Sequence, residues 1–174
     1  MVQPSNREKI LRLFFDFPNK PFQIRQASRL SQIAFPSARN YLLLLEKEGL
    51  LKKVSGPIFS YFIANRESCL FKRLKTNDLL LRIEESGLIR KQLKREHPDC
   101  IVLFGSAARG EDTEKSDLDI FVQMKRKKFV LNDFEEVLKR NINLLFEPDL
   151  SKLSPELKNS LANGIVLDGN FAPF

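Results

Sequence analysis

The segments Gly105-Ser-Ala-Ala-Arg109 and Ser116-Asp-Leu-Asp-Ile-Phe-Val122 decide how the second half of this chain folds. The run before them, Cys100–Phe104, is unbroken and apolar, as in a buried strand. A glycine at the end of a strand lets the backbone approach a ligand closely. The N–H groups of a helix that begins there, with the Ser106 hydroxyl, can hold phosphate oxygens. The later segment predicts a second strand.

Two acidic residues, Asp117 and Asp119, stand two positions apart on this second predicted strand. Alternation along a strand therefore places both carboxylates on one face, about 7 Å apart along the backbone. Two carboxylates at that spacing repel each other unless a cation lies between them, and oxygen ligands suit Mg²⁺ or Mn²⁺. We predict that they are catalytic and hold a metal ion on a nucleoside triphosphate. They would lie opposite Gly105 and Ser106, which we call the glycine-serine corner.

Together the two segments resemble the signature of the minimal nucleotidyltransferases, relatives of the polymerase β superfamily. The resemblance covers roughly residues 87–168. It implies that Gly105 and Ser106 bind a triphosphate, with ATP the expected nucleotide, and that the two aspartates bind magnesium. Ser116 and Arg109 are further candidates for nucleotide binding. Arg109 is equally suited to a structural ion pair with the acidic residues of the loop.

The same family usually has a third carboxylate on a later strand, where it helps to deprotonate the acceptor hydroxyl. Here the matching strand is Ile142–Phe146, and the expected position holds Asn143. An amide oxygen can ligate a metal, but an amide is not a general base at neutral pH. Glu147 has the same strand parity yet lies about 13 Å further on, so it reaches the site only if the strand bulges.

The net positive charge of the chain comes from its first third. Residues 1–66 contain eleven Lys/Arg and four Asp/Glu, which accounts for the whole net charge of +7. The remainder is neutral. This asymmetry predicts two domains with different partners.

The basic part is predicted to contain three helices and a hairpin. Ser5 and Glu8 form a capping box that opens the first helix. A second helix has Ala27 and Leu30 inward, and a third runs from Pro36 to Glu48. Two strands, Leu51–Val54 and Ile58–Ile63, flank the turn Ser55-Gly56-Pro57.

This order, with Pro36-Ser-Ala-Arg-Asn-Tyr-Leu on the third helix, resembles a winged helix-turn-helix. The resemblance implies duplex DNA binding by polar and basic side chains of the third helix and hairpin. These are Ser37, Arg39, Asn40, Tyr41, Lys52 and Lys53. Protein docking or dimerisation is the alternative use of such a module.

The sequence thus predicts an α+β protein in three parts. They are an N-terminal winged helix-turn-helix (1–66), a helical connector (67–86) and a C-terminal nucleotidyltransferase-fold mixed sheet with flanking helices (87–174), of which the first is predicted at residues 88–96. Because Met1–Lys9 is polar and no apolar run is long enough to cross a bilayer, we expect a cytoplasmic protein without membrane contact. Cys69 and Cys100 are expected to be buried, reduced thiols. The aromatic tail, Phe171 and Phe174, suggests a homodimer interface.

Two functions follow from these observations. The first is an enzyme that transfers a nucleoside monophosphate to a protein or small acceptor. By resemblance, it would be an antitoxin that modifies a HEPN-type ribonuclease toxin. The second is a regulator with little or no catalysis, in which bound nucleotide biases DNA binding. Asn143 is the residue that separates these hypotheses.

Overall fold

The computed structural model describes residues 4–56 and 59–172, which form two compact units. The first unit ends at Lys75 and the second begins at Thr76. This division falls inside the predicted connector, within one continuous helix, α4 (Cys69–Ser86). Among the described residues, no helix has the length and apolar character needed to span a bilayer.

The first unit consists of three helices and a two-stranded hairpin. The helices are α1 (Asn6–Asp16), α2 (Ile24–Ser31) and α3 (Phe35–Lys47), and the strands are β1 (Leu51–Ser55) and β2 (Ser60–Ala64). The predicted capping box is confirmed, since Ser5 Oγ accepts from the Glu8 amide and Glu8 accepts from the Ser5 amide. Ala38, Leu42 and Leu45 of α3 are fully buried in the core of this unit.

The element order of this unit matches the predicted order, with one addition. Phe22, between α1 and α2, forms an isolated bridge with Phe62 of β2. The predicted turn residue Pro57 and the predicted strand start Ile58 lie outside the described residues. Leu30, predicted to face inward, is 47% exposed, so that prediction is wrong. The buried face of α2 carries Ala27 and Ser31, which are four residues apart, and Leu30 lies outside this face.

The second unit is built on a four-stranded mixed sheet in the order β5-β4-β3-β6. Its strands are β3 (Cys100–Phe104), β4 (Leu118–Val122), β5 (Ile142–Phe146) and β6 (Ile165–Gly169). The central pair β3–β4 is antiparallel, as is β3–β6, whereas β4–β5 is parallel. The end of β3 and the starts of the other three strands therefore meet at one edge of the sheet.

Helices cover this sheet on two sides. The single turn α5 (Gly105–Ala108) follows β3, α6 (Asn132–Leu138) precedes β5, and α7 (Pro155–Ala162) precedes β6. Alternate residues of each strand point to opposite faces of the sheet, so the apolar side chains form two clusters. One cluster contains Leu118 and Ile120, and the other contains Phe121 and Leu161. Asp119 and Phe121 are two residues apart on β4, so their side chains lie on the same face of the sheet.

Two further predictions need correction. Residues Leu88–Leu93 form a π-helix followed by a 3-10 turn, Lys94–Glu96, where an ordinary helix was expected. Cys69 is exposed at the start of α4, and only Cys100 is buried. The homodimer interface stays a prediction: Phe171 is half-buried and packs edge-on against Phe121 with ring centroids 6.2 Å apart, and Phe174 lies outside the described residues.

Candidate functional site

The glycine-serine corner lies directly against the second aspartate. Phe104, the last residue of β3, pairs with Asp119 of β4, and Gly105 follows at once with a positive φ of 73°. A Cβ atom built on Gly105 would stand 2.7 Å from Asp119 Oδ2, closer than side chains normally approach. Only the hydrogen of glycine fits at this position, so Gly105 lets the Asp119 carboxylate pack directly against the backbone of the corner. The structure thus places the glycine-serine corner next to Asp119, as the sequence predicts.

Two asparagines hold the two aspartates from the neighbouring strand. Asn143 pairs in register with Asp119, and its Nδ2 donates to Asp119 Oδ1 at 2.9 Å. Asn141 Nδ2 donates to Asp117 Oδ1 at 3.2 Å. The spacing Asn141-Ile-Asn143 thus repeats the spacing Asp117-Leu-Asp119 on the adjacent strand. Asn141 was missed from the sequence, although this repeated spacing could have revealed it.

Asn143 lies beside Asp119 at the position where the family resemblance predicts a third carboxylate. The register between β4 and β5 is regular over five residue pairs, from Leu118↔Ile142 to Val122↔Phe146, without a bulge. Glu147 therefore stays beyond the end of β5, where its Oε1 accepts from the Asp149 amide at 3.0 Å. It does not replace the missing acid.

The remaining nucleotide-binding candidates lie around the same corner with different roles. Ser106 is half-buried in α5, whose single turn has no side-chain cap. Ser116 Oγ accepts from the Thr113 amide at 2.9 Å and closes the turn before Asp117. Arg109 Nε donates to Glu111 at 2.9 Å. Arg109 therefore forms the structural ion pair that was predicted as the alternative to nucleotide binding. Ser116 also lines a polar cleft of about 430 Å³, together with Asn141.

A buried ion pair joins the loop between the two motifs to the start of β5. Arg140 lies 3.4 Å from Asp112, and each side chain is only 5% exposed. Asp112 belongs to the loop between α5 and β4, and Arg140 immediately precedes Asn141. The pair therefore ties together the two segments that carry the aspartates and their asparagine partners.

The donor atoms at this corner suit a hard divalent cation. Asp117 is exposed and Asp119 is half-buried, so both carboxylates can be reached from solvent. Asn143 can contribute its amide oxygen after a half-turn of the amide, since the two ends of the group are nearly isosteric. Oxygen donors of this kind fit Mg²⁺ or Mn²⁺, and the close packing of Gly105 on Asp119 places the start of α5 beside them. Across the described part of the chain, no three His, Cys, Asp or Glu side chains gather as a metal cluster.

The predicted DNA-contacting residues of the first unit are only partly brought together. Arg39 of α3 and Lys53 of β1 line one groove with Arg25, which is not among the predicted DNA-contacting residues. Ser37 is half-buried and Asn40 is exposed on α3, whereas Tyr41 packs against the core of the unit. Lys52 and Lys53 are consecutive on a strand, so they face opposite sides of the hairpin.

The family comparison agrees with the geometry of the second unit. Residues 88–171 match the family model described as Polymerase beta, Nucleotidyltransferase. The match includes all four strands and both motifs, and it supports a nucleotidyltransferase domain in this part of the chain. No match was found to a curated protein or to a solved structure.

Proposed function

We propose that the second unit binds a nucleoside triphosphate, expected to be ATP, together with Mg²⁺ or Mn²⁺. Gly105 and Ser106 would receive the phosphates, and Asp117, Asp119 and the Asn143 amide oxygen would hold the metal ion. The observation that carries this proposal is the close packing of Gly105 against Asp119, which brings the glycine-serine corner next to the carboxylates. Any side chain at position 105 would collide with Asp119 Oδ2 and push this carboxylate away from the corner.

The proposed reaction is transfer of a nucleoside monophosphate to a hydroxyl group of a protein or small acceptor. The acceptor oxygen forms a bond to the α-phosphorus, the bond to the β-phosphate bridging oxygen breaks, and pyrophosphate leaves. A bound divalent ion would offset the negative charge on the phosphates. With Asn143 in place of a carboxylate, the acceptor proton passes to solvent. A HEPN-type toxin is the protein acceptor that the family resemblance suggests.

A nucleotide-sensing regulator is the second candidate, and the position of Asn143 favours it. Asn143 donates to Asp119 at the register position where the family resemblance places the carboxylate that deprotonates the acceptor. A site with two carboxylates and an amide can bind metal and nucleotide without activating an acceptor. In this case, bound nucleotide would change the affinity of the first unit for DNA.

A labelling experiment separates these two functions. The chain is incubated with ATP labelled at the α-phosphate, Mg²⁺ and cell extract, and Asp117→Asn with Asp119→Asn serves as the inactive control. Transfer predicts label on an acceptor only with the unchanged chain. Asn143→Asp restores the third carboxylate and is expected to raise the rate by about tenfold or more. Label that is equal in the double variant would exclude transfer by this site.

For the first unit, we propose a winged helix-turn-helix that binds nucleic acid, with duplex DNA as the form predicted from the sequence. Its support is the net charge of +7 on residues 1–66 and the convergence of Arg25, Arg39 and Lys53. Replacing Arg39 with glutamine is expected to weaken retention of DNA at low salt. Complete absence of binding at low salt would favour the docking alternative.

A further inference from the structure

A groove in the first unit, between α3 and the hairpin, has features that duplex recognition does not require. Its volume is about 640 Å³, within the range of sites that enclose small ligands. Its walls are mainly apolar. They are formed by Gln23, Ile24, Arg25, Phe35, Arg39, Leu43, Lys53, Phe59, Ser60 and Phe62.

Two phenylalanines of this groove are open to solvent. Phe59 is 59% exposed and Phe35 is 44% exposed, whereas Phe62 beneath them is completely buried. Exposed aromatic rings leave apolar surface in contact with water, and this costs free energy unless a ligand covers them. Their flat faces suit another flat ring, because aromatic groups gain from offset or edge-on stacking.

The charge of the groove points to an anionic ligand. Arg25, Arg39 and Lys53 line it, and no acidic side chain does so among the described residues. Arg25 also lines an adjoining cleft of about 470 Å³ with Gln23, Gln26 and Arg29. The positive surface thus extends beyond the groove, which favours a polyanion over a single small anion.

We propose that this groove binds single-stranded nucleic acid, with an unpaired base against Phe59 and Phe35 and the phosphates at Arg25, Arg39 and Lys53. The proposal rests on the nucleic-acid binding proposed above and changes its form from duplex to unpaired strand. In a duplex both faces of each base are covered by neighbouring bases, so only an unpaired base can stack on protein rings. Alternating rings and cations are the means by which proteins hold single strands.

The test compares single strands with duplex on the full chain. Fluorescence anisotropy is measured with a short labelled DNA strand, the RNA strand of the same sequence, and the matching DNA duplex. A single strand is expected to bind more tightly than the duplex. Phe59→Ala should weaken single-strand binding about tenfold, while Phe59→Tyr, which keeps a ring, should restore it. Leu70→Ala, at another exposed apolar residue outside the groove, is the matched control and should have no effect.

The possible outcomes separate this inference from the broader proposal. Duplex binding equal to single-strand binding, unaffected by Phe59→Ala, would overturn the inference and leave nucleic-acid binding in place. Failure of every oligonucleotide to bind would overturn both. Equal displacement of the strand by polyglutamate and by an unlabelled strand would show a simple polyanion surface, and would also overturn the inference.

Discussion

Gly105 is the residue whose replacement affects the proposed site most directly. Gly105→Ala forces a left-handed backbone on a residue with a Cβ, at about 1–2 kcal/mol, and places that carbon against Asp119. Nucleotide binding should fall by about tenfold or more, because the carboxylate must move. Gly49→Ala is the matched control, since its φ is also 73° but no atom lies within 4 Å.

Isothermal titration with ATP and Mg²⁺, together with urea unfolding, measures both effects. The two variants are expected to lose similar stability, and only Gly105→Ala should lose nucleotide affinity. Unchanged affinity in Gly105→Ala would show that the close packing of Gly105 on Asp119 is not needed for nucleotide binding.

The ion pair between Asp112 and Arg140 permits a second prediction at the scale of single residues. Asp112→Ala leaves the Arg140 charge buried, and we expect a loss of about 3–5 kcal/mol in the free energy of unfolding. Glu111→Ala breaks the exposed pair with Arg109, where the side chains are 54% and 40% exposed, and should cost less than about 1 kcal/mol. Urea denaturation of both variants checks the contrast, and equal losses would contradict it.

At the scale of elements, β3 and α4 place the two cysteines in opposite environments. Cys100 of β3 is completely buried, and burial, with smaller effects of Asp168 and Asp99, raises the pKa of its thiol to about 11. Cys69 of α4 is exposed. A thiol reagent at pH 8 should therefore label one cysteine in the native chain and the second only after unfolding. Two rapidly labelled thiols would contradict the burial of β3.

The raised pKa of Cys100 also gives a direction for stability against pH. In the unfolded chain the thiol deprotonates near its ordinary value of 9.0, whereas in the folded chain it does so near 11. The thiol therefore has no effect on the free energy of unfolding below about pH 9. As the pH rises from 9 towards 11, the unfolded chain loses the proton more readily, so the free energy of unfolding falls. Unfolding at several alkaline pH values, with Cys100→Val as the control without a titrating group, measures it.

The sequence predicts elements best where one local signal decides them. An apolar run identifies Cys100–Phe104 with the bounds observed, the family resemblance identifies Ile142–Phe146, and the capping box identifies the start of α1. Burial of Leu30 and Cys69 depends on packing from elsewhere in the fold, which periodicity does not report. The π-helix at Leu88–Leu93 has no signal in the periodic pattern.

Part of the site was also predictable. Gly105, Asp117 and Asp119 follow from local motifs, and the register confirms that Asn143 stands beside Asp119. Arg25 was missed because its position in the groove depends on packing between distant segments, whereas the spacing of Asn141 and Asn143 could have revealed Asn141. The ion pair of Asp112 with Arg140 was missed for the same reason, since 28 residues separate them in sequence.

At the scale of the whole molecule, the uneven charge predicts two ligands with different responses to salt. If Arg25, Arg29, Arg39 and Lys53 each contact one phosphate, the logarithm of the single-strand binding constant should fall with a slope of about −3 against the logarithm of salt concentration. Binding of ATP with Mg²⁺ should depend on salt much less. Anisotropy and titration at several salt concentrations measure the two slopes, and equal slopes would contradict separate sites.

The most direct test of the central claim is the binding of ATP to the unchanged chain and to Asp119→Asn, with Mg²⁺ and with EDTA. Asp133→Asn, at an exposed acid on α6, is the control for lost negative charge. We predict binding that requires Mg²⁺, persists in Asp133→Asn and weakens by about tenfold or more in Asp119→Asn. Equal affinity in Asp119→Asn and the unchanged chain, or full affinity in EDTA, would contradict a metal-nucleotide site at this corner.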